Sequence, residues 1–412
     1  MLMRRSEALF PLFLYVPMTC FSRLRMGCAT AGQCRQGNDS AAAIGAWVFM
    51  IATFMFCSPP SVAQTALLSQ QDQPIEVSFR PAYQWYEEGS ASVQQGSVQL
   101  QSVVPLGQRW QVVGRFQMAR AGADGAETMT GVDDLFVSVL HTRRIGASSI
   151  VVEVESQLPT GSDELTLPEL QTLQRISRSV FDFHVPSFGH GVRVSPRLTL
   201  AFPLTEGVIL GVGGSYAYRG AYRPFAAMEN EYDPGDAWEV FGGLDLSLSP
   251  QSDVSVDVRY TRYGADTIGG RDRLESGDFT SIVGQYRYQW ATEQLRVSAV
   301  YQNWGESTVF PFIVQTQETV ISRRRQLNPS YSVAQAALQT LRWRDTPLSV
   351  YAEARQYGRT ILNDTRTLFL LGVRPSFTIS DRGEGIVLSP YVEGTAGDVT
   401  GIDVGIETKW RF

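Results

Sequence analysis

Downstream of Ala63 the sequence has no cysteine, a single lysine (Lys409) and only three histidines, His141, His184 and His190. Cys20, Cys28, Cys34 and Cys57 all precede that point, which excludes a disulfide framework, a thiolate metal site and a cysteine nucleophile in the rest of the chain. Basic charge is also short. From Gln64 to Phe412 there are 30 cations against 39 carboxylates, a net charge of −9, and a general nucleic-acid-binding face is excluded on that balance. Long apolar runs are missing too, apart from Ala41–Phe56. A mean hydropathy of −0.10 excludes a bundle of membrane helices.

The one apolar run reads as the core of a signal peptide. It is followed by Ser61-Val62-Ala63, whose small residues fit a cleavage site, with Gln64 as the first mature residue. A start at Met26, with Arg35 as the positive charge, gives this segment an ordinary signal-peptide length. An uncleaved anchor is the other reading of the run. The sequence thus divides into a leader over 1–63, a short periplasmic segment over 64–74 and one large domain over 75–412.

That domain is dominated by period-two alternation. At its end, Ile402, Val404, Ile406, Trp410 and Phe412 alternate with Asp403, Gly405, Glu407, Lys409 and Arg411. One face of such a strand meets an apolar phase and the other meets water. A terminal strand closing on Trp410 and Phe412 resembles the assembly signal of outer-membrane barrels. The same alternation recurs in Val254, Val256, Val258 and Tyr260 against Ser255, Asp257, Arg259 and Thr261. About sixteen strands are predicted, from Ile75–Tyr86 to Ile402–Phe412, with Gly131–Arg143, Tyr331–Arg344 and Thr365–Ile379 among them; fourteen is the alternative count. Connections alternate between short and long, the pattern of periplasmic turns and outer loops. The predicted fold class is therefore all-β, an antiparallel up-and-down transmembrane barrel in the outer membrane of a Gram-negative bacterium. Aromatics near strand ends (Trp85, Tyr86, Trp110, Tyr216, Tyr218, Tyr260, Tyr263, Tyr288, Trp290, Tyr301, Trp304, Trp343 and Tyr357) are expected to form interfacial girdles.

Strand parity assigns both signs of charge to the lumen. Its negative candidates are Glu76, Asp134, Glu153, Glu155, Glu239, Asp245, Asp257, Glu353, Asp403 and Glu407. Its positive candidates are Arg80, Arg115, Arg193, Arg197, Arg219, Arg259, Arg287, Arg296 and Arg355. Some of these fill the interior as cross-strand ion pairs, with Glu153 and Glu155 placed to meet Arg193 and Arg197; others line a pore wall. The mixture argues against strong selectivity for ions of one sign.

The longest connection, Pro159–His190, carries a helix signal. Thr166-Leu-Pro-Glu169 fits a capping box, and Leu170, Leu173 and Ile176 share one helical face. The loop either folds into the barrel as a constriction or lies across its mouth. Its constriction candidates are Glu169, Arg175, Arg178, Asp182, His184 and His190. An Asp–His pair there is the only hint of hydrolase chemistry, and no serine or acid stands in a recognisable catalytic context. No metal-ligand spacing supports the two loop histidines, and no cofactor is expected.

Two short motifs, Gly131-Val-Asp-Asp-Leu135 and Leu158-Pro-Thr-Gly-Ser162, resemble those of the outer-membrane barrels linked to phenol and aromatic-hydrocarbon degradation, distant relatives of the long-chain fatty-acid channel. The resemblance implies a passive channel admitting small solutes, hydrophobic or aromatic ones among them. It departs from the fatty-acid channel in having only Gln64–Pro74 before the first strand, too little for an N-terminal plug. The alternatives are a closed barrel with a structural or surface role and an outer-membrane hydrolase. Expected partners are the lipid bilayer, lipopolysaccharide, periplasmic chaperones, the barrel-assembly machinery and a small-molecule solute. No nucleic acid is expected.

Overall fold

A computed structural model describes residues 74–162, 165–224, 226–310, 323–343, 346–360, 364–379 and 385–412. The leader over 1–63, most of the 64–74 segment, Arg344 and parts of the last two short turns lie outside the described residues.

Sixteen long strands form the wall. They are β1 Glu76–Glu88, β2 Ala91–Leu106, β3 Trp110–Ala123, β4 Leu135–Ile145, β5 Ser148–Leu158, β6 Arg193–Thr205, β7 Val208–Arg219, β8 Ala237–Ser249, β9 Ser252–Tyr263, β10 Phe279–Trp290, β11 Glu293–Trp304, β12 Tyr331–Trp343, β13 Thr346–Tyr357, β14 Arg366–Pro375, β15 Gly385–Gly397 and β16 Thr400–Arg411. Each pairs antiparallel with its neighbours in sequence, and β1 also pairs with β16, so the sheet closes with no free edge. Two predicted strands are interrupted. Met129–Val132 pairs with β3, and then Asp133 and Asp134 break the ladder before β4 begins. Phe377–Thr378 continues β14 only after Ser376.

The outer face of the wall is apolar. Tyr83, Leu198, Val240, Val258, Phe369 and Leu371 are all exposed on it, the last two at 58% and 60%. The opposite parity carries Gln84, Gln95, Ser138, Thr199, Ser255 and Asp403, all buried. An apolar exterior on a closed barrel is stable where lipid replaces water, and closure lets the backbone groups of the wall pair from strand to strand. The chain is an outer-membrane β-barrel, with β1 beginning and β16 ending at the periplasmic rim.

The predicted girdle is half right. Trp110, Tyr216, Tyr218, Tyr288, Trp290 and Tyr301 are exposed on the outer face. Tyr86, Tyr263, Trp304 and Tyr357 are buried at 2–6% and point inward. Near a strand end, one residue of register decides between lipid and lumen.

Four inward aromatics lie flat over a glycine on the neighbouring strand. Tyr86 stands directly opposite Gly401, Phe241 opposite Gly213, Tyr351 opposite Gly372 and Tyr391 opposite Gly405. A Cβ on any of the four glycines would overlap the aromatic side chain.

Three of the long outer loops build a second sheet. Its five strands run in the order Arg323–Arg325, Ser307–Val309, Arg271–Glu275, Ala265–Ile268 and Tyr232–Asp233. Leu274 is buried with Leu327 in a small core at this sheet.

Candidate functional site: the third outer loop inside the barrel

The loop after β5 is anchored at its base by the two motifs. The Asp134 carboxylate accepts from the Gly161 amide at 2.8 Å, from the His190 amide at 2.6 Å and from Gln157 Nε2 at 3.3 Å. One carboxylate thereby ties the two ends of the loop together. Leu135 N–H donates to Thr160 Oγ1 at 2.9 Å, and Ser162 N–H donates to the Val132 carbonyl at 3.1 Å. Gly131 and Gly161 are required by close approach. A Cβ on Gly131 would strike the Phe188 ring, and one on Gly161 would lie 2.6 Å from the Phe188 carbonyl oxygen and 2.8 Å from Asp134 Oδ1. The lumen assignment of Asp134 is thus corrected: its oxygens are turned to backbone amides, because a carboxylate is the side chain able to accept several donors at once.

Above the base, the predicted helix forms as α1, Leu167–Ile176, with the Thr166–Glu169 capping box in place. Leu170, Leu173 and Ile176 are buried, the last at 0%. Thr172 Oγ1 donates to the Glu127 carbonyl and Arg175 to the Asp124 carbonyl, so the helix is fastened to the connection between β3 and β4. Arg178 pairs with Glu88 at 3.0 Å, and Arg366 reaches the same carboxylate at 2.7 Å. Glu169 and Arg175 therefore act in anchoring the helix.

The chain then turns at Asp182, whose φ of +50° is left-handed, and descends against the inner wall. Val180, Phe181, Phe183, Val185 and Phe188 share one core with Tyr86, Val93, Ala119, Ala121, Met129, Leu368 and Leu370 of the wall. Phe183 meets Tyr86 edge to face, with ring centroids 5.2 Å apart. The loop backbone is held by amide side chains. Gln84 accepts from His184 N–H at 2.8 Å and donates to the Asp182 carbonyl at 3.1 Å. Gln95 accepts from Val185 N–H at 3.0 Å and donates to the Val185 carbonyl at 2.7 Å. Gln99 donates to the His184 carbonyl at 3.2 Å. Gln84 and Gln95 are 1% and 0% exposed. Of the two loop positions left open by the sequence, the structure takes the inward one.

Charged contacts complete the seat. Asp182 pairs with Arg355 at 2.7 Å, and His184 Nε2 lies 3.0 Å from Asp403 and 3.0 Å from Arg80 Nη2. The aspartate that His184 meets is Asp403 of the wall rather than Asp182 of the loop, whose carboxylate goes to Arg355. His190 Nε2 lies 2.6 Å from Ser187 Oγ. Burial, with Arg193 and Arg219 close by, pushes the His190 imidazole down to about 4. Among the described residues no group of three His, Cys, Asp or Glu could hold a metal ion.

The opposite wall carries a separate ionic cluster. Arg197 lies 3.7 Å from both Glu153 and Glu155 and 3.5 Å from Glu239, which also meets Arg259 at 3.3 Å. Arg193 instead donates to Ser195 Oγ at 3.0 Å. Arg287 pairs with Asp253 at 2.6 Å and stands directly opposite Arg296, while Asp257 lies opposite Gly243. Arg115 stacks on Phe136 at 4.9 Å, and Glu353 pairs with Arg355. Glu76 meets Lys409 and Arg411 at the periplasmic rim. Arg219 turns toward the outer sheet, reaching the Gly235 carbonyl and, at 3.6 Å, Asp266.

No family model matches the chain, and no curated protein matches it. Among solved structures it is similar to an outer-membrane channel from Pseudomonas putida F1, with 14% identity over 60% of this chain and 92% of that one and a TM-score of 0.39. It is also similar to OccK7 (OpdD) of Pseudomonas aeruginosa, with 9% identity over 83% and 99% and a TM-score of 0.40. A third is the translocator domain of the autotransporter NalP from Neisseria meningitidis, with 8% identity over 90% and 98% and a TM-score of 0.32. Likenesses this distant carry no argument about the present chain.

Proposed function

We propose that the protein is a passive outer-membrane channel for small solutes, and that its third outer loop is the element that gates and selects. The observation that supports this reading is the seating of residues 180–188 inside the barrel, apolar side chains on one side and five glutamine hydrogen bonds along the backbone. A loop held by many modest contacts can leave and return without unfolding the wall, since each such hydrogen bond contributes only about 1 kcal/mol net. The apolar and aromatic lining of the outer lumen favours apolar or aromatic solutes. The resemblance of the two motifs to those of the phenol-degradation channels supports the same class, and in this reading they act as the hinge of the loop. Solutes then pass a wall of ion pairs centred on Arg197, driven by their gradient, with no cofactor. The lipid bilayer and lipopolysaccharide are the surrounding partners. Trp410 and Phe412 are the proposed signal to periplasmic chaperones and the barrel-assembly machinery.

The test is single-channel recording of refolded Gln64–Phe412 in planar bilayers, beside a variant lacking residues 179–188. Rare or small openings in the parent and large steady ones in the variant are expected. Equal silence of both, with intact barrels, would sink the channel reading in favour of a closed structural barrel. Arg197→Ala is expected to change the unit conductance of an open channel.

A further inference from the structure

We propose that Arg120, on the lipid-facing side of β3, heads a site that binds a phosphate of lipopolysaccharide in the outer leaflet. The inference goes beyond the channel reading and does not depend on it. Parity places the residue. Trp110, Met118 and Arg120 are all exposed and stand an even number of positions apart on β3, so they share the outward face. Depth follows from the count. Trp110 opens β3 at its periplasmic end, and Arg120 lies ten residues further along the same strand. A tilted barrel strand crosses the hydrocarbon in about 9–11 residues, so an aromatic at one interface puts Arg120 at the other, level with the outer headgroups. A guanidinium is costly in the middle of the lipid face and tolerated at its edge. Among the described residues Arg120 makes no ion pair, and Asp124, four residues on, accepts from the Ser92 amide at 2.8 Å.

The surface beside Arg120 suits such a group. Arg120 stands opposite Gly96 on β2 and Thr130 on the Met129–Val132 segment, and Gly96 stands opposite Tyr83 on β1. A Cβ on Gly96 would meet nothing within 4 Å, so an open trough lies between Tyr83 and the arginine. Gln94, exposed and two residues from Gly96 on the same face, forms its edge. The Tyr83 hydroxyl donates to Gln94 Oε1 at 2.8 Å. This fixes the amide, and its Nε2 lies over Gly122, 3.7 Å from where a Cβ would stand. Guanidinium, amide N–H and the Thr130 hydroxyl are all able to donate, and the trough carries no acidic side chain. A planar guanidinium takes phosphate through two parallel N–H bonds, and the phosphates at this level of an outer membrane belong to lipopolysaccharide. Leu100 and Met118, both exposed on the same face and deeper in the membrane, lie where its acyl chains would run.

The test is native mass spectrometry of the protein expressed as the full chain, extracted from outer membranes in detergent and titrated with lipid A. Bisphosphorylated lipid A is expected to bind, and Arg120→Gln to weaken it about tenfold, the effect of losing one charge-assisted pair. Gly96→Val fills the trough while leaving every donor in place, and it should weaken binding too. Arg143→Gln removes an exposed arginine from the outer face near the periplasmic end of β4 and should change nothing. All three changes face lipid, so barrel content by circular dichroism should stay constant. Equal binding of dephosphorylated lipid A overturns the site, and so does an Arg120→Gln variant as tight as the parent. Phosphatidylglycerol bound as tightly as lipid A would make this a general anionic-lipid contact. Full competition by inorganic phosphate at matched concentration would make it a soluble-anion site. Either result overturns the assignment to lipopolysaccharide. A barrel that binds lipid A yet stays silent in bilayers keeps the site and sinks the channel.

Discussion

At the scale of single residues, the loop depends most on Asp134. Asp134→Ala would orphan the buried amides of Gly161 and His190 together, and the expected loss is about 2–4 kcal/mol of loop seating. It should appear as faster hydrogen exchange over 159–190 with the wall strands unchanged. His190 sets the acid limit. Its seated imidazole titrates near 4, below the ordinary value of 6.5, so an unseated loop binds the proton more readily. Its contribution is fully present above about pH 6.5 and is lost as pH falls toward 4. His190→Gln should therefore flatten the loss of protection at the loop base across that window. Sequence reasoning quoted the motif containing Asp134 but placed the carboxylate in the lumen. It had no signal for Gln84 or Gln95 at all, because neutral amides on a polar parity look like any other lumen residue. Their role exists only once residues about ninety or more positions away lie against them.

At the scale of elements, legibility follows how local the cause is. Helix α1 was readable because its cap, its proline and its apolar face lie within eleven residues. Thr166→Ala should remove about 1 kcal/mol from that helix, seen as increased exchange confined to its first turn. The outer sheet was not readable. Its strands are two to five residues long, too short for a period, and exist by pairing between three separate loops. The strand break at Asp133–Asp134 was equally hidden, since it serves the loop that returns to it. Gly161→Ala tests that hinge: the added methyl has backbone on one side and the Asp134 carboxylate on the other, so the loop must lift. Larger conductance at unchanged barrel content is the expected result.

For the molecule as a whole, the sixteen strands, their parity and their alternating connections were legible because a two-residue period repeated over a closed wall leaves little freedom. Deleting Phe412 should lower the yield of assembled barrel in the outer-membrane fraction while leaving refolding in detergent possible. The aromatic side chains lying over cross-strand glycines carry a consequence for how such a wall can move. Each ring acts as a dowel set across a seam, and four seams, β1–β16, β7–β8, β13–β14 and β15–β16, are pinned in this way. Sliding one strand past the next by the two residues needed to restore its pairing would drive a ring into a side chain or leave a hole beside it. The girth of the barrel is thereby fixed, and gating current in this protein should come in the discrete steps of a moving stopper rather than the graded flow of a dilating tube.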